Sequence, residues 1–232
     1  MEKKKFKIGK IILIILAIVI FGILIHTIRN FIIISKLQNT FKQYADIDNY
    51  HIKVAYDDES SGHTETNYYR KGEKRAFFIV NTNLSGEVVK LLTYDSGKRV
   101  DFFTETIEEK NAFLGIESSP NMGIDNGIMT DNFGQKLLSC FLAKIRSVKY
   151  NERDCYEITN FMSANYLYDD ETTVSIIDKE TALELSRKWN ANRTEERLTE
   201  INNVDDSVFV EPNIAEYDIK ESNSWKINRS SK

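Results

Sequence analysis

The sequence predicts an α+β protein in which a transmembrane helix precedes a curved antiparallel sheet that encloses one or two helices. The first observation behind this prediction is an uninterrupted apolar run over residues 11–25. The second is the pattern of residues 50–107, where short segments rich in Val, Ile, Thr, Tyr and Phe alternate with turn clusters, and which returns after residue 150. The third is a stretch of helical periodicity between the two sets of strands. A sheet of about eight to ten strands with one apolar face must curl around something, and the helices are the candidates to fill it.

The apolar run is long enough to cross a bilayer. At a rise of about 1.5 Å per residue, the roughly 18 residues of segment 11–28 span about 27 Å, close to the hydrocarbon thickness of a membrane. Five lysines precede the segment within residues 1–10, against Arg29 and Lys36 just after it. The positive-inside rule therefore places the N-terminus in the cytoplasm and the rest of the chain outside. The alternative is a cleaved signal peptide, but no small-x-small site and no lipid-accepting Cys follow the run, which favours an uncleaved signal anchor.

Charge divides along the same boundary. The chain carries a net charge of −4, and six basic residues against Glu2 give +5 up to Arg29, so −9 remains for the rest. An acidic extracytoplasmic domain is a poor nucleic-acid binder and is repelled by anionic lipid headgroups. Besides the membrane that holds the anchor, the expected partner is a protein of the cell envelope or an apolar ligand such as an acyl chain, and no nucleic acid.

Apolar spacing continues beyond the membrane segment. Leu37, Phe41 and Tyr44 lie at i, i+4 and i+7, which predicts a short amphipathic helix that continues from, or follows, the membrane helix. The predicted organisation is a cytoplasmic basic segment at 1–10, a transmembrane helix at 11–28, a juxtamembrane amphipathic helix at 29–45, an extracytoplasmic domain at 46–220 and a tail at 221–232.

Turn residues punctuate the first half of the extracytoplasmic domain. Residues 50–107 predict a meander of five antiparallel strands joined by four tight turns. Segment 115–132, rich in Gly, Ser, Asn and Asp, predicts a long loop. Residues 131–145 then predict a buried helix that is capped by Asp131 or Asn132. Its wide apolar face comprises Phe133, Leu137, Leu138, Phe141, Leu142 and Ile145.

Residues 174–189, VSIIDKETALELSRKW, carry two conflicting signals. Helix propensity favours a helix over the second half of the segment. Periodicity favours strands, because Leu183, Leu185 and Trp189 share one parity and polar residues occupy the other. We predict two antiparallel strands here, preceded by a strand in CYEITNFM and followed by strands in RTEERLTEIN and DSVFVEPNIAEYDI.

Two of these motifs resemble the LolA/LolB/RseB superfamily of extracytoplasmic proteins. IIDKETALELSRKW is similar to its strand, Asp-x-x-Thr-Gly-Leu turn and returning strand, and NNVDDSVFVEP is similar to its closing pattern, with Phe209 shortly before Pro212. The resemblance covers about residues 36–220 and implies an antiparallel β half-barrel that wraps helices on its concave side. Ala182 stands where the family often has Gly, which suggests a looser turn. A more particular resemblance is to GerS-like clostridial germination lipoproteins, although their lipid-bearing Cys is missing here.

Sequence motifs for catalysis or for a bound metal or cofactor are not found. His51 and His63 lack the further ligands of a zinc site, and a strand-surface role is favoured for both. The acidic clusters 57–59 and 169–171 lack the alternating ligand spacing of a calcium loop and indicate solvated turns. No nucleophile elbow and no phosphate-binding glycine loop are present. We therefore expect no catalytic residue, metal or cofactor.

Cys140 and Cys155 are the only cysteines. They could form a disulfide in an oxidising extracytoplasmic compartment. Two free, buried thiols are the favoured alternative, because Cys140 lies within the helical pattern and has the character of a core residue.

The resemblance also implies an apolar cavity on the concave face of the half-barrel. The candidates to line it are Phe77, Ile79, Leu92, Tyr94, Phe102, Leu138 and Phe141. An equally strong alternative is that these residues close a dry core. The leading function hypothesis is a membrane-anchored, non-enzymatic binding or scaffold protein of the cell envelope, related to sporulation or germination if the GerS-like resemblance holds. A lipid or lipoprotein carrier and an envelope hydrolase are the alternatives.

Overall fold

The computed structural model describes residues 2–125, 127–130, 132–159, 161, 173–189 and 193–221. The chain divides into two compact units: unit 1 is Met1–Lys42 with Asn126–Ala182, and unit 2 is Gln43–Asp125 with Leu183–Lys232. The helices are α1 (Glu2–Phe41) and α2 (Phe133–Leu142). The strands are β1 (Asn49–Asp58), β2 (Gly62–Lys71), β3 (Lys74–Thr82), β4 (Val88–Asp95), β5 (Val100–Glu105), β6 (Lys110–Leu114), β7 (Lys144–Tyr150), β8 (Arg153–Thr159), β9 (Thr173–Asp178), β10 (Glu184–Trp189), β11 (Arg193–Ile201) and β12 (Asp218–Lys220).

The helix α1 combines two segments that the sequence analysis separated. It is one continuous helix of 40 residues, and a 3-10 turn at Lys42–Tyr44 follows it. Its apolar window is long and hydrophobic enough to cross a membrane, and only 6% of that window is buried, unlike the core helix of a soluble protein. Farther along the same helix Ile34, Leu37 and Phe41 are buried. Leu37 and Phe41 of the predicted stripe are therefore buried on a continuation of α1, and Tyr44 lies in the 3-10 turn that follows.

The predicted meander is the main part of unit 2. All five predicted strands are present as β1–β5, and β6 extends them. The sheet of unit 2 has the strand order β12-β6-β5-β4-β3-β2-β1-β11-β10. β11 pairs with β1, so that Ile52 lies opposite Thr199, and β12 joins β6 in parallel. The α+β class is confirmed, with an N-terminal apolar helix and a curved, unclosed antiparallel sheet. The predicted wrapping of the helices by the sheet stays a prediction.

Unit 1 contains α1, α2 and an antiparallel arrangement of β9, β8 and β7 in that order. Asn132 is the N-cap of α2, and its side chain accepts a hydrogen bond from Gln135 N at 2.9 Å. The alternative cap Asp131 lies outside the described residues. The helix ends at Leu142, three residues earlier than predicted, because β7 begins at Lys144. Ile145 belongs to that strand and not to the helix.

The structure corrects two further predictions, and a third concerns residues that lie almost entirely outside the described part of the chain. Segment 206–216 contains two 3-10 turns, Asp206–Phe209 and Ile214–Glu216, where a strand was predicted, and only Asp218–Lys220 is extended and paired. The turn after β9 is not loose: Ala182 holds φ +59°, and Asp178 Oδ1 accepts hydrogen bonds from Glu180 N and Thr181 N, both at 2.8 Å. The predicted tail lies outside the described residues except for its first residue, Glu221.

The turn between β1 and β2 requires glycine for two separate reasons. Gly62 has φ +94°, and a Cβ atom there would lie 2.2 Å from the backbone oxygen of Thr82. Gly86 has a similar φ of +83°, but no atom lies within 4 Å of its added Cβ. Both positions disfavour an L side chain, and only Gly62 adds a backbone clash.

We expect Gly62→Ala to lower the free energy of unfolding by at least about 2 kcal/mol, because backbone strain and the contact with Thr82 O both act. Gly86→Ala is the matched control and should cost only about 1 kcal/mol, since strain acts there alone. Chemical denaturation of the two variants measures the difference. Equal losses would show that Thr82 does not restrict the turn.

Candidate functional site

The C-terminal end of α2 is held by polar side chains of α1. Asn30 is fully buried, and its Nδ2 donates hydrogen bonds to the backbone oxygens of Cys140 and Ala143, both at 2.9 Å. His26 Nε2 lies 3.0 Å from Ala143 O, and Arg29 Nη1 donates to the backbone oxygen of Ile145 at 3.1 Å. The last carbonyls of a helix have no partner inside the helix and carry partial negative charge. These α1 side chains supply donors and positive charge at that point, so they fix α2 to α1.

This contact was not predicted, although a signal was present. Asn30 belongs to a short polar interruption, residues 26–30, between the apolar runs 11–25 and 31–34 of one helix. A polar side chain between such runs is expensive unless it is hydrogen-bonded, so its presence indicates a specific partner. Composition alone does not identify the partner, which lies 110 residues away in the sequence.

The structure separates the seven predicted cavity residues into three groups. Paired residues of an antiparallel sheet point to the same face, and successive residues alternate. Phe77 lies opposite Thr93, and Thr93 lies opposite Phe102, so Phe77 and Phe102 share one face, together with Ile79. Leu92 and Tyr94 flank Thr93 and therefore occupy the opposite face. The remaining two residues, Leu138 and Phe141, belong to α2 in unit 1.

The face with Phe77 contains an aromatic core that the chain itself covers within unit 2. Tyr50, Ile52, Val54 and Tyr68 form a buried cluster, against which Phe77, Met122 and Ile124 pack. Two tyrosine hydroxyls hold the covering segment: Tyr50 donates to Met122 O at 2.8 Å, and Tyr68 donates to Asn121 Oδ1 at 3.2 Å. The predicted long loop is therefore ordered over this face, as expected for a filled core.

The opposite face of the sheet is covered by the C-terminal segment. Tyr94 is buried with Ala76, Phe103, Ala112 and Tyr217, and partly buried neighbours including Leu92 and Phe209 pack on them. Tyr217 also donates a hydrogen bond to Glu105. Phe209 of the predicted closing motif thus contributes to this core. Leu92 and Tyr94 are core residues here, and strand alternation places them on the face opposite to Phe77 and Phe102. The lining of a cavity by any of the seven residues stays a prediction.

The predicted burial of α2 is wrong. Leu138 is 51% exposed and Phe141 is 44% exposed, whereas the residues that α2 buries are Ser139 and Cys140. The apolar stripe was identified correctly from its spacing. Periodicity shows which face of a helix is apolar, but it does not show which face the protein covers.

A buried ionic network in unit 2 was not predicted. Arg187 Nε and Nη2 donate to the two oxygens of Glu184 at 2.8 and 2.6 Å, and these side chains are 2% and 0% exposed. Arg197 Nη1 lies 3.4 Å from Glu184 and its Nη2 donates to Glu195 at 3.3 Å. The alternation of the sequence had placed Glu184 on the polar parity of its strand. The network can be buried because its positive and negative side chains compensate one another. Removing one member would leave an unpaired charge in the interior.

The turns at one end of the sheet in unit 2 enclose a polar cleft of about 450 Å³. Asp95 accepts a hydrogen bond from Ser119 Oγ at 2.6 Å, and Arg75 Nη1 lies 3.6 Å from its carboxylate. Asp101, which is 2% exposed, accepts a hydrogen bond from Arg99 Nε at 2.7 Å. The hydrogen bond to Asp101 raises the pKa of the Arg99 guanidinium above its ordinary value. These ion pairs and hydrogen bonds connect the turns to one another. A cleft lined by charged and polar groups does not suit an acyl chain.

The two histidines outside α1 have structural partners. His51 lies between Glu200 and Asn67, 2.9 Å from an oxygen of each, and its ring stacks on Tyr69 at 4.2 Å between centroids. His63 Nδ1 lies 2.8 Å from Asp57. Within the described residues no group of three or more His, Cys, Asp or Glu could hold a metal ion.

Of the two acidic turn clusters, 57–59 and 169–171, only the first lies within the described residues. Asp58 caps the β1–β2 turn by accepting hydrogen bonds from the side chain and backbone of Ser60, which lower the pKa of its carboxyl. It therefore serves the turn.

Both cysteines are free thiols in unit 1. Cys140 and Cys155 are fully buried, and burial raises the pKa of each thiol above its ordinary value. A raised pKa keeps the unreactive protonated form dominant near neutral pH. Of the two alternatives left open by the sequence, the structure shows free, buried thiols.

Comparison with known proteins gives similarity at the level of structure only. No protein-family model matches the chain, and no curated protein sequence matches it. The Mycobacterium tuberculosis lipoprotein LppX is similar with a TM-score of 0.43 and 9% identity, over 75% of this chain and 97% of that chain. MucB in complex with MucA(peri) gives a TM-score of 0.34 and 10% identity, over 75% of this chain and 57% of MucB. A DUF1329 family protein from Desulfovibrio piger gives 0.31 and 10%, over 80% and 97%.

These similarities identify neither a ligand nor a partner for this chain. The chain also spans only a little over half of the MucB chain. The fold that the superfamily resemblance implies is supported by the antiparallel strand order of the sheet itself. The GerS-like branch stays a prediction.

The Glu105–Tyr217 contact predicts a pH-dependent contribution to stability. Burial by itself would raise the pKa of Glu105, but hydrogen bonds from Tyr217 and Lys90 hold that pKa below its ordinary value. A carboxyl with a depressed folded-state pKa stabilises the fold above its unfolded pKa of about 4.3, and the contribution is lost as the pH falls through the folded pKa.

We expect Tyr217→Phe to lower the free energy of unfolding by about 1.5–3 kcal/mol at pH 7, since it removes a hydrogen bond to a charged group, and by less at pH 3. Urea denaturation at both pH values measures this difference. Tyr94→Phe is the control, because Tyr94 lies in the same buried cluster, whereas the hydrogen bonds that lower the pKa of Glu105 come from Tyr217 and Lys90. A loss in Tyr217→Phe that is the same at both pH values would contradict the assignment.

Proposed function

We propose that the protein is a membrane-anchored, non-enzymatic binding or scaffold protein whose folded part lies on the extracytoplasmic side of the membrane. The observation that carries this proposal is the continuity of α1. One helix contains both an exposed apolar stretch long enough to span a bilayer and a buried stretch that is part of the fold. A folded part built on its own anchor stays at the membrane.

The contacts of α1 support an anchor in preference to a cleaved signal sequence. His26, Arg29 and Asn30 lie at the end of the apolar stretch and bind the backbone of residues 140–145. Gln38 Nε2 donates to Ile128 O at 2.7 Å, farther along the same helix. Cleavage near residue 28 would remove His26 and leave Asn30 at a frayed end. The fold therefore uses the residues that cleavage would detach or expose.

The orientation of the anchor follows from charge. Five lysines precede the apolar run, and the residues after Arg29 carry a net charge of −9. The basic end is retained in the cytoplasm, and the acidic part is exported. We propose single-pass topology with residues 1–10 inside and the part from about residue 40 outside.

A protein partner fits the described surfaces better than a transported lipid. A carrier must leave one membrane for another, and a 40-residue helix that contains the anchor opposes this. The aromatic face of unit 2 is covered by Met122 and Ile124, and the cleft near Asp95 is polar. The carrier alternative would require an acyl-chain cavity on that face, and this cavity would be lined by Phe77, Ile79 and Phe102.

An enzymatic role lacks support from the described groups. The two histidines of unit 2 are engaged with Glu200 and Asp57, and the thiols are buried. A link to sporulation or germination rests on the GerS-like resemblance alone. A gene position beside the gene for an envelope or sporulation hydrolase would support this link.

The topology can be tested on the full chain with a different epitope tag at each end, expressed in intact protoplasts. We expect added protease to remove the C-terminal tag and to leave the N-terminal tag and span protected. Replacing the five lysines before the span with Gln should give a mixed orientation, since the charge bias is removed.

Two results would overturn the anchored topology. One is protection of the C-terminal tag in intact protoplasts, together with full digestion of that tag once the protoplasts are permeabilised. The other is a mature protein whose N-terminus lies after residue 28, which would identify the apolar run as a cleaved signal sequence.

A further inference from the structure

The helix α2 exposes the side chains that a soluble protein would bury. Its buried residues are Ser139 and Cys140. Five large apolar side chains are exposed on the other side by 42% to 68%: Phe133, Leu137, Leu138, Phe141 and Leu142. An exposed apolar patch that is contiguous on one helix face marks a contact with another protein or with a membrane.

The position of α2 on α1 places this patch at the end of the apolar span. Asn30 binds the C-terminal carbonyls of α2, and the ring of Phe133 at its other end lies 5.9 Å from the ring of Phe31 in edge geometry. His26 also contacts Ala143 O at the C-terminal end, so the two ends of α2, a helix about 15 Å long, contact α1 residues no more than five positions apart, about 7.5 Å along the α1 axis. Helices that run side by side would place these contacts about nine residues apart. The helix α2 is therefore inclined to α1.

The inclination turns α2 away from the direction of the proposed span. With α1 across the bilayer as proposed, a helix inclined to it at residues 26–31 lies oblique to the membrane normal, at the level where the predicted span 11–28 ends. Ile28 and Ile32 of α1 are 57% and 62% exposed at the same level. Exposed apolar side chains of α1 thus extend beyond the predicted span to the level of the residues that α2 contacts.

Charge around α2 agrees with a lipid surface, even though the extracytoplasmic part as a whole is acidic. Residues 132–150 contain four basic residues and no acidic one. Arg146 and Lys149 of β7 pair with Glu157 and Asp154, so the attraction to a lipid surface rests on Lys136 and Lys144. Lys136 Nζ lies 4.6 Å from the centre of the Phe31 ring, so its stem covers apolar surface beside the patch. An amphipathic helix with a large apolar face and flanking Lys or Arg is typical of interfacial membrane binding. Local attraction to phosphate headgroups can therefore outweigh repulsion by distant carboxylates, which salt screens.

We propose that α2 is an interfacial helix that inserts its apolar face, Phe133, Leu137, Leu138, Phe141 and Leu142, into the headgroup–acyl boundary of the same bilayer that α1 crosses. The inference rests on the proposed anchoring by α1. Its consequence is a second membrane contact that holds unit 1 flat on the surface, where a single helix would leave it free to tilt. The position of the patch at the end of the exposed apolar stretch of α1 favours lipid over a second copy of the chain or another protein as the covering group.

The test uses the full chain in liposomes made of phosphatidylcholine and phosphatidylglycerol, with Trp189 and Trp225 replaced by Phe. A single tryptophan is then introduced by Phe141→Trp, and quenching by lipids brominated near the headgroup end of the acyl chain is measured. We expect strong quenching and a blue-shifted emission. Tyr150→Trp is the matched control in the same unit, at the far end of β7 about 20 Å along the strand from Lys144, and should be quenched weakly.

A second reference variant separates this proposal from the anchor on which it rests. Leu16→Trp lies within the span and should be quenched by lipids brominated deep in the acyl chain. If Leu16→Trp is quenched and Phe141→Trp is not, α1 is an anchor but α2 is no interfacial helix. If neither is quenched, both proposals fail. A blue-shifted Phe141→Trp emission without lipid quenching would show that protein covers the patch, and would likewise overturn the proposal.

Discussion

Two hydrogen bonds from one buried amide determine how unit 1 is built. Asn30 donates to the oxygens of Cys140 and Ala143, which are among the carbonyls that α2 cannot satisfy within itself. Leaving a buried acceptor without a donor costs about 1–3 kcal/mol, so two such acceptors are a large part of the stability of a small unit. The same bonds hold the C-terminal end of α2, which buries Ser139 and Cys140, against α1.

The arrangement gives one helix two roles that are usually separate. The first part of α1 has exposed apolar side chains suited to lipid, and the later part contains the buried residues Ile34 and Leu37. Because both parts belong to one continuous helix, unit 1 is built directly on the helix that carries the exposed apolar stretch.

The sequence predicted well those elements whose signals are local. Strands β1 to β5 are separated by turn residues, and the strand assignment of VSIIDKETALELSRKW was confirmed as β9 and β10 because alternation outweighed helix propensity. The short strand β6 was missed, since KNAFL offers only five residues before a Gly-rich segment. β7 was missed because Ile145 continues the apolar spacing of α2. Local patterns do not mark where a helix yields to a strand unless a breaker intervenes.

The candidate site was predicted less well because it depends on contacts between distant residues. Register decides that Phe77 and Leu92 face opposite ways, and register is not visible in either segment alone. Glu184 and Arg187 are charged, and nothing in their sequence pattern indicates that they pair in the interior, where each neutralises the other. For α2 the apolar face was predicted correctly and its environment was not. Spacing shows how apolar residues are arranged, and a lipid surface and a protein core require the same arrangement.

The most direct measurement of this account is hydrogen exchange of the α2 backbone in Asn30→Leu, with Thr27→Val as the control. Leu is similar in size to Asn but donates no hydrogen bond, whereas Thr27 bonds only to Ile23 O within α1. The account predicts that amide exchange in residues 136–143 becomes roughly 10- to 100-fold faster in Asn30→Leu, because the docking of α2 is lost, and stays unchanged in Thr27→Val. Exchange in α2 that is equally slow in both variants would contradict the claim that Asn30 holds the two helices together.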